Sequence, residues 1–576
     1  MLTKLSMMIQ LLRWKKSWAR RDLDLAPPVK GNPKFMTARQ AARLVPDGAV
    51  VVSTGMAGTM RASILYWAIR DVFQKEGHPG KLTWIAAGGA GGRGKIPGTV
   101  EECGLDGLIT RMISAHLETL KSVLALADKG RCEVAVLPQG TMVHLIEAQG
   151  RGEDSIVTDV GVGTFVDPRV GTGSQVLPGI GDVLVVPEGD NLRYRLPTIT
   201  AAVMLATAAD VEGNVYMIDA PMLTEVREGV LAAKKNGGVA LVTVASIVPK
   251  DESRIFLRAD EVDAIVVNPS NEMTLSVLQS KPWREFVPGH PVDFDKSMKR
   301  MKAFNDILKL DPARGPVEDA LARACATQFT RVARPGCHVC IGYGLPQEVG
   351  RLVRAGGLSK DVKFLIETGV YGGIPAPGCF FGMGIAPERL MSSAEMFHLC
   401  RKQLDVTLLG ILQADAEGNV NVSRKAPGVI AYIGPGGFMD LVTSAKNIVF
   451  VGSWMARADM VIEGGKLNIR KPGIPKFVAK VDEVTFSGRA ALAAGKNVSY
   501  VTNVGCFRLT TRGLELFAVA PGVDPQRDII DACPDARIVM PLDGKLETWD
   551  AGIMTGAGFG LRWESTAGDD VPAAFA

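Results

Sequence analysis

One heptapeptide occurs twice in this chain, and its surroundings are repeated with it. Residues 209–215 read ADVEGNV and residues 414–420 read ADAEGNV. Each copy follows an apolar run (AAVMLATA, VTLLGILQ) and precedes another (GGVALVTV, KNIVFVGS). Upstream, PDGAVVVSTGMAG (46–58) is matched by RPGCHVCIGYGLP (334–346), each reading as glycine, strand, glycine loop and helix. Internal symmetry of this kind points to one α/β unit in tandem. The opening glycine lies 162 residues before the first heptapeptide's aspartate and 79 before the second's, so the first half carries an insertion of about 83 residues.

The rest of the sequence agrees with an α/β chain of two domains. At 576 residues it exceeds what a single core accommodates. Its 64 glycines and 6% aromatic content suit many tight strand-to-helix turns. A net charge of +4 does not point to nucleic acid. No apolar run reaches the roughly 18 residues of a membrane span. Nine scattered cysteines argue for reduced thiols and a cytoplasmic setting. The expected organisation is a basic extension over 1–35, a first domain over 36–285, a linker over 286–314, a second domain over 315–550 and a tail over 551–576. The extension has an eight-residue apolar run followed by Arg13, Lys15, Lys16, Arg20 and Arg21. That pattern reads as a disordered arm, a start set ahead of Met36, or a basic helix that touches a membrane surface or a partner.

Several segments invite chemistry. VKFLI (362–366) reads as a buried strand ending on Glu367, with Gly369, Gly372 and Gly373 close behind. Open α/β sheets place reactive groups at such carboxyl ends. GGAGGRGK (88–95) nearly matches a phosphate-binding loop, but Ile96 stands where a magnesium-holding hydroxyl is needed, leaving an anion seat as the reading. Cys337 and Cys340 point to opposite faces of a strand and cannot share a metal ion. With no histidine pair at ligand spacing either, no metal site is expected. Cys379 reads as a bland loop thiol. Asp167 and Arg169 read either as an ion pair holding a loop or as contacts to a ligand.

The ordered set PQG (138–140), GVGTFVDPR (161–169), IETGVYGGIP (366–375), EGNVNVSR (417–424) and GPGGF (434–438) resembles the family I CoA-transferases. The resemblance is to the single-chain acetate/propionate type, in which two halves are fused, and runs from about Met36 to about residue 548. It implies two similar α/β domains with the active site between them, and Glu367 as a nucleophile that becomes a glutamyl-CoA thioester. It implies oxyanion or acyl-positioning roles for Gln139, Gly436 and Gly437. It places Gly434, Gly436, Gly437, Phe438, Gly342 and Gly344 around coenzyme A. Departures from the pattern fall at Ala62-Ser63, at CRKQLD (400–405) and at Pro435, and Tyr371 adds bulk beside the nucleophile.

The chemistry is self-contained. Exchanging one thioester for another needs no ATP, metal or redox cofactor, and coenzyme A enters as a substrate. The expected reaction is ping-pong transfer of CoA from a short-chain acyl-CoA to an acetate-like acid. The alternatives on the same scaffold are an acyl-CoA hydrolase and a catalytically silent CoA-binding protein. A homo-oligomer is expected.

Overall fold

The computed structural model describes residues 2–18, 21–92, 96–310 and 314–564. Short apolar runs bounded by glycine build two sheets. The first contains β1 (Val50–Ser53), β2 (Leu82–Ala86), β3 (Ile109–Ser114), β4 (Glu133–Ala135), β5 (Ala201–Leu205), β6 (Val239–Val244) and β7 (Ala264–Val267). Their order is β7-β6-β5-β1-β2-β3-β4, and all neighbours run parallel. The second sheet is centred on β8 (Cys337–Ile341), β9 (Val362–Ile366), β10 (Val406–Gly410), β11 (Asn447–Val451) and β12 (Asn497–Val501). These stand in the order β9-β8-β10-β11-β12, again parallel, and further strands extend both edges to ten.

The order β2-β1-β5-β6-β7 in the first half recurs as β9-β8-β10-β11-β12 in the second. One topology is therefore used twice, as the repeated motifs imply. Parallel strands must be covered on both faces, and all five residues of β5 are accordingly buried. The repeated heptapeptides close equivalent turns. The Asp210 carboxylate accepts from the N–H groups of Glu212, Gly213 and Asn214, and Asp415 accepts from those of Glu417 and Asn419. The insertion in the first half holds β3, β4, a helix and a small antiparallel sheet over residues 155–195.

Helices α1 (Leu2–Trp18), α2 (Gln139–Arg151), α3 (Phe294–Leu308), α4 (Ser393–Gln403) and α5 (Phe438–Ser444) flank the sheets or join the halves. The N-terminal extension is not an unstructured arm. Met7 and Leu11 of α1 are buried, Gln10 Nε2 donates to Ser276, and Trp14 Nε1 donates to Glu272. The 286–314 linker holds α3, which is capped by Asp293 and buries Phe294, Met301 and Phe304. Residues 551–564 pack too: Arg323 donates to the carbonyls of Ile553 and Met554, and Trp563 lies against Phe329. The final residues, 565–576, fall outside the described set, as do Gly94 and Lys95 of the anion-seat reading.

Candidate active site

The loops at the carboxyl ends of the two sheets meet, and Glu367 stands among them. β9 delivers it: five residues of buried or half-buried strand end at Ile366, and Gly369 turns the chain at φ 97°. A side chain at 369 would collide with the Met391 carbonyl, and the Met391 N–H donates to the Gly369 carbonyl. The turn therefore requires glycine. Parallel register pairs Cys340 with Leu365, so β8 and β9 end side by side.

A loop from the second half, residues 433–437, closes the other side. It is sewn to the first half by backbone bonds. Leu117 N–H donates to Ile433 O at 2.7 Å, Gly436 N–H to Ala115 O at 2.9 Å, and Gln139 N–H to Gly436 O at 2.9 Å. Gly434, at φ 89°, passes so close to the Ala115 carbonyl that no side chain fits. The Glu367 carboxylate rests against Gly437, where a Cβ would strike Glu367 Oε2 and approach Phe397 Cζ to 3.2 Å. Glu367 is half-buried and keeps some accessible surface. Burial pushes its carboxyl up to about 7 from 4.5, and the nearby Asp440 adds to the shift.

Asp440 has no place in the sequence reading. Its carboxylate reaches across the halves to the start of α2, accepting from Gly140 N–H at 2.9 Å, Thr141 N–H at 2.9 Å and Thr141 Oγ1 at 3.1 Å. It thereby satisfies first-turn donors that a helix leaves open. Burial raises the Asp440 carboxyl to about 7, opposed by those same bonds. The only local signal was a carboxylate three residues after Gly437 in GGFMD. Its partners are some 300 residues away in the chain.

The sequence-derived site residues separate into groups. Glu367, Gln139, Gly434, Gly436 and Gly437 come together. Gln139 is buried, with Oε1 facing the Gly436 position. Gly436 departs from expectation, since its N–H is already spent on Ala115 and is not an open donor. The Gly437 N–H has no backbone partner among the described residues and remains the donor of that pair. Phe438 stacks on Phe450, ring centres 5.7 Å apart, and so anchors α5 in the core. Gly342 N–H is used by Leu408 O, while Gly344, at φ 95°, faces open space. Of the departures, Arg401, Lys402 and Gln403 are exposed on the last turn of α4, with Arg401 paired to Asp159 at 2.6 Å. Phe397 and Cys400 hold the inward face of that helix. Tyr371 lies against Arg389, 4.3 Å from the ring centre, with His338 nearby.

The Asp167–Arg169 pair is structural. Arg169 grips Asp167 with two bonds of 2.8 Å, and Asp167 also accepts from Gly163 N–H, so the pair holds its loop. The nine cysteines are buried and form no disulfide, and no group of metal-binding side chains occurs among the described residues. No helix among them is long and apolar enough to cross a membrane.

Comparison with known proteins converges on one kind of enzyme. Residues 35–257 match the family model described as Coenzyme A transferase. The chain is 31% identical over 546 residues to the caffeate CoA-transferase of Acetobacterium woodii, covering 92% of this chain and 98% of that protein. It is 29% identical over 547 residues to the acetate CoA-transferase YdiF of Escherichia coli K12, covering 93% and 98%. The crystal structure of the acyl-CoA transferase YdiF of E. coli O157:H7, a thioester complex with CoA, superposes with a TM-score of 0.80 at 26% identity, covering 93% of this chain and 99% of that one.

Proposed function

This chain belongs to the coenzyme A transferase family, and on that premise we propose that it moves CoA from an acyl-CoA to a free carboxylic acid through Glu367. One observation carries the proposal: the Glu367 carboxylate, with its carboxyl raised by burial, lies against the unencumbered backbone of Gly437. A poorly solvated carboxylate is a stronger nucleophile than one in water, and burial also keeps water from the intermediates.

The steps balance without an added reagent. A Glu367 oxygen attacks the thioester carbonyl, the carbon–sulfur bond breaks, and CoA leaves as thiolate from an acyl-glutamyl anhydride. The thiolate attacks the glutamyl carbonyl and expels the first acid as carboxylate, leaving a glutamyl-CoA thioester. The acceptor carboxylate then attacks that thioester, and the same two steps in reverse return acyl-CoA and free Glu367. Each attack develops an oxyanion, for which we assign the Gly437 N–H and the Gln139 side-chain amide as donors. Loss of such a donor costs about 3–4 kcal/mol. Acetate and cinnamate-type acids such as caffeate are the acceptors to try first, by analogy with the relatives.

Incubation with acyl-CoA, followed by digestion and mass spectrometry, is expected to find CoA on the peptide containing residue 367. Initial rates against both substrates are expected to give parallel double-reciprocal lines. A Glu367→Ala enzyme that still transfers CoA would end the proposal.

A further inference from the structure

Helix α1 carries two apolar sectors, and only one is buried. At 100° per residue, Met7, Leu11, Trp14 and Trp18 form one sector, which packs onto the protein through buried Met7 and Leu11 and the Trp14–Glu272 bond. Leu5, Met8, Ile9 and Leu12 form a second sector about 140° away; they are 52%, 43%, 41% and 65% exposed, with Leu5 and Ile9 bordering Ser276 and Leu278 of the body. A helix that is apolar all round is normally buried all round. Four large aliphatic side chains clustered on one exposed face exceed the scattered singles of an ordinary surface.

The rim of this face selects its occupant. Lys4, Arg13, Lys15 and Lys16 are exposed around the stripe, and residues 2–18 contain no acid. On the wheel Lys4 and Lys15 lie along one margin, Arg13 lies along the other, and Lys16 lies within the stripe. The neighbouring α3 exposes Lys296, Lys299 and Lys302 against Asp295 and Asp306. An aliphatic stripe with a cationic rim is the arrangement of a helix lying in a lipid interface, with its apolar face among acyl chains and its cations at anionic headgroups. A second copy of the chain would bring an equally cationic rim against this one, so like charges oppose self-association here.

We propose that α1 docks the folded enzyme onto an anionic membrane surface, peripherally and without spanning it. Its inward face is already tied to the body of the protein, so the helix need not detach to dock. Its outward face contributes nothing to the Glu367 site, and docking is separable from catalysis.

The test uses the full-length enzyme and extruded vesicles, either of phosphatidylcholine alone or with about 30 mol% phosphatidylserine. Sedimentation with the mixed vesicles is expected, with retention at least ~10-fold weaker on phosphatidylcholine alone and falling steeply as salt rises from about 0.1 to 0.5 M. Leu5→Ser/Leu12→Ser and Lys15→Glu/Lys16→Glu are each expected to reduce retention ~10-fold or more while leaving CoA transfer and melting temperature unchanged. Equal retention on both vesicle types, no retention on either, or retention indifferent to these substitutions would overturn the proposal. Sedimentation velocity in the absence of lipid covers the remaining occupant. A serine variant that converts a wild-type oligomer to smaller species assigns the stripe to a second copy, and the membrane assignment fails.

Discussion

Glu367→Gln separates the solvation of this carboxylate from its chemistry. The folded protein holds the carboxyl at about 7 against 4.5 for the free group, mainly through burial. Keeping it ionised in the fold therefore opposes stability by about 2.5 pH units, or ~3 kcal/mol at 1.36 kcal/mol per unit. The sign follows from the raised value. Below pH 4.5 the group is neutral folded and unfolded, and no stability is lost. Between 4.5 and about 7 the unfolded chain ionises first and stability falls. Above 7 the full penalty stands.

Glutamine is isosteric and never ionises, so the variant escapes the penalty. At pH 8.5 it is expected to melt higher than wild type by roughly 2–5 °C, the smaller figure applying if both halves unfold together. At pH 4.5 the two melting curves are expected to merge, and transfer activity is expected to be lost throughout. Scanning fluorimetry across that pH range reads the stability, and acyl-CoA/acid exchange reads the activity. Equal melting temperatures at pH 8.5 would mean that the carboxylate is fully hydrated, and the account of a dry nucleophile would fail.

Three further outcomes are expected. Gly437→Ala places a methyl group against Glu367 Oε2 and Phe397, so kcat is expected to fall by about 10²–10³ with the fold retained; near-normal turnover would disprove the close approach. Asp440→Ala strips the acceptor from Gly140 N–H and both donors of Thr141. A stability loss of about 2–4 kcal/mol with reduced kcat is expected, and Asp440→Asn is expected to recover part of both; a more stable alanine variant would show that relief of burial outweighs the lost bonds. Burial, with neighbouring His398, lowers His144 to about 4, so that side chain withdraws up to about 3 kcal/mol as pH falls from 6.5 to 4. His144→Phe is therefore expected to shift acid unfolding to lower pH, read by circular dichroism, and no shift would remove His144 as a contributor.

The sequence was most informative where its signal is local. The strand over 362–366, the turn glycines behind Glu367 and the twofold use of one topology were all readable, because period, β-branching and backbone freedom act over a few residues. How the N-terminal extension and the 286–314 linker pack was not. Their helices are held by Trp14 against Glu272 and by Phe294, Met301 and Phe304 in the core, contacts that no local composition reveals. The departure at 400–405 turns away from the site, because its helix phase leaves Arg401 to Gln403 facing outward.

What the residues alone determined is an ordered set of short motifs and a lone carboxylate at a strand end, since these depend on neighbours in the chain. What only the tertiary structure decided is the state of that carboxylate: how deep it lies, which glycine it rests on, which backbone donor is open and which is spent. Asp440 shows the reason most plainly, because the donors it satisfies belong to a helix some 300 residues away. Solvation and proton affinity are set by everything within a few ångströms, and folding alone brings those groups together.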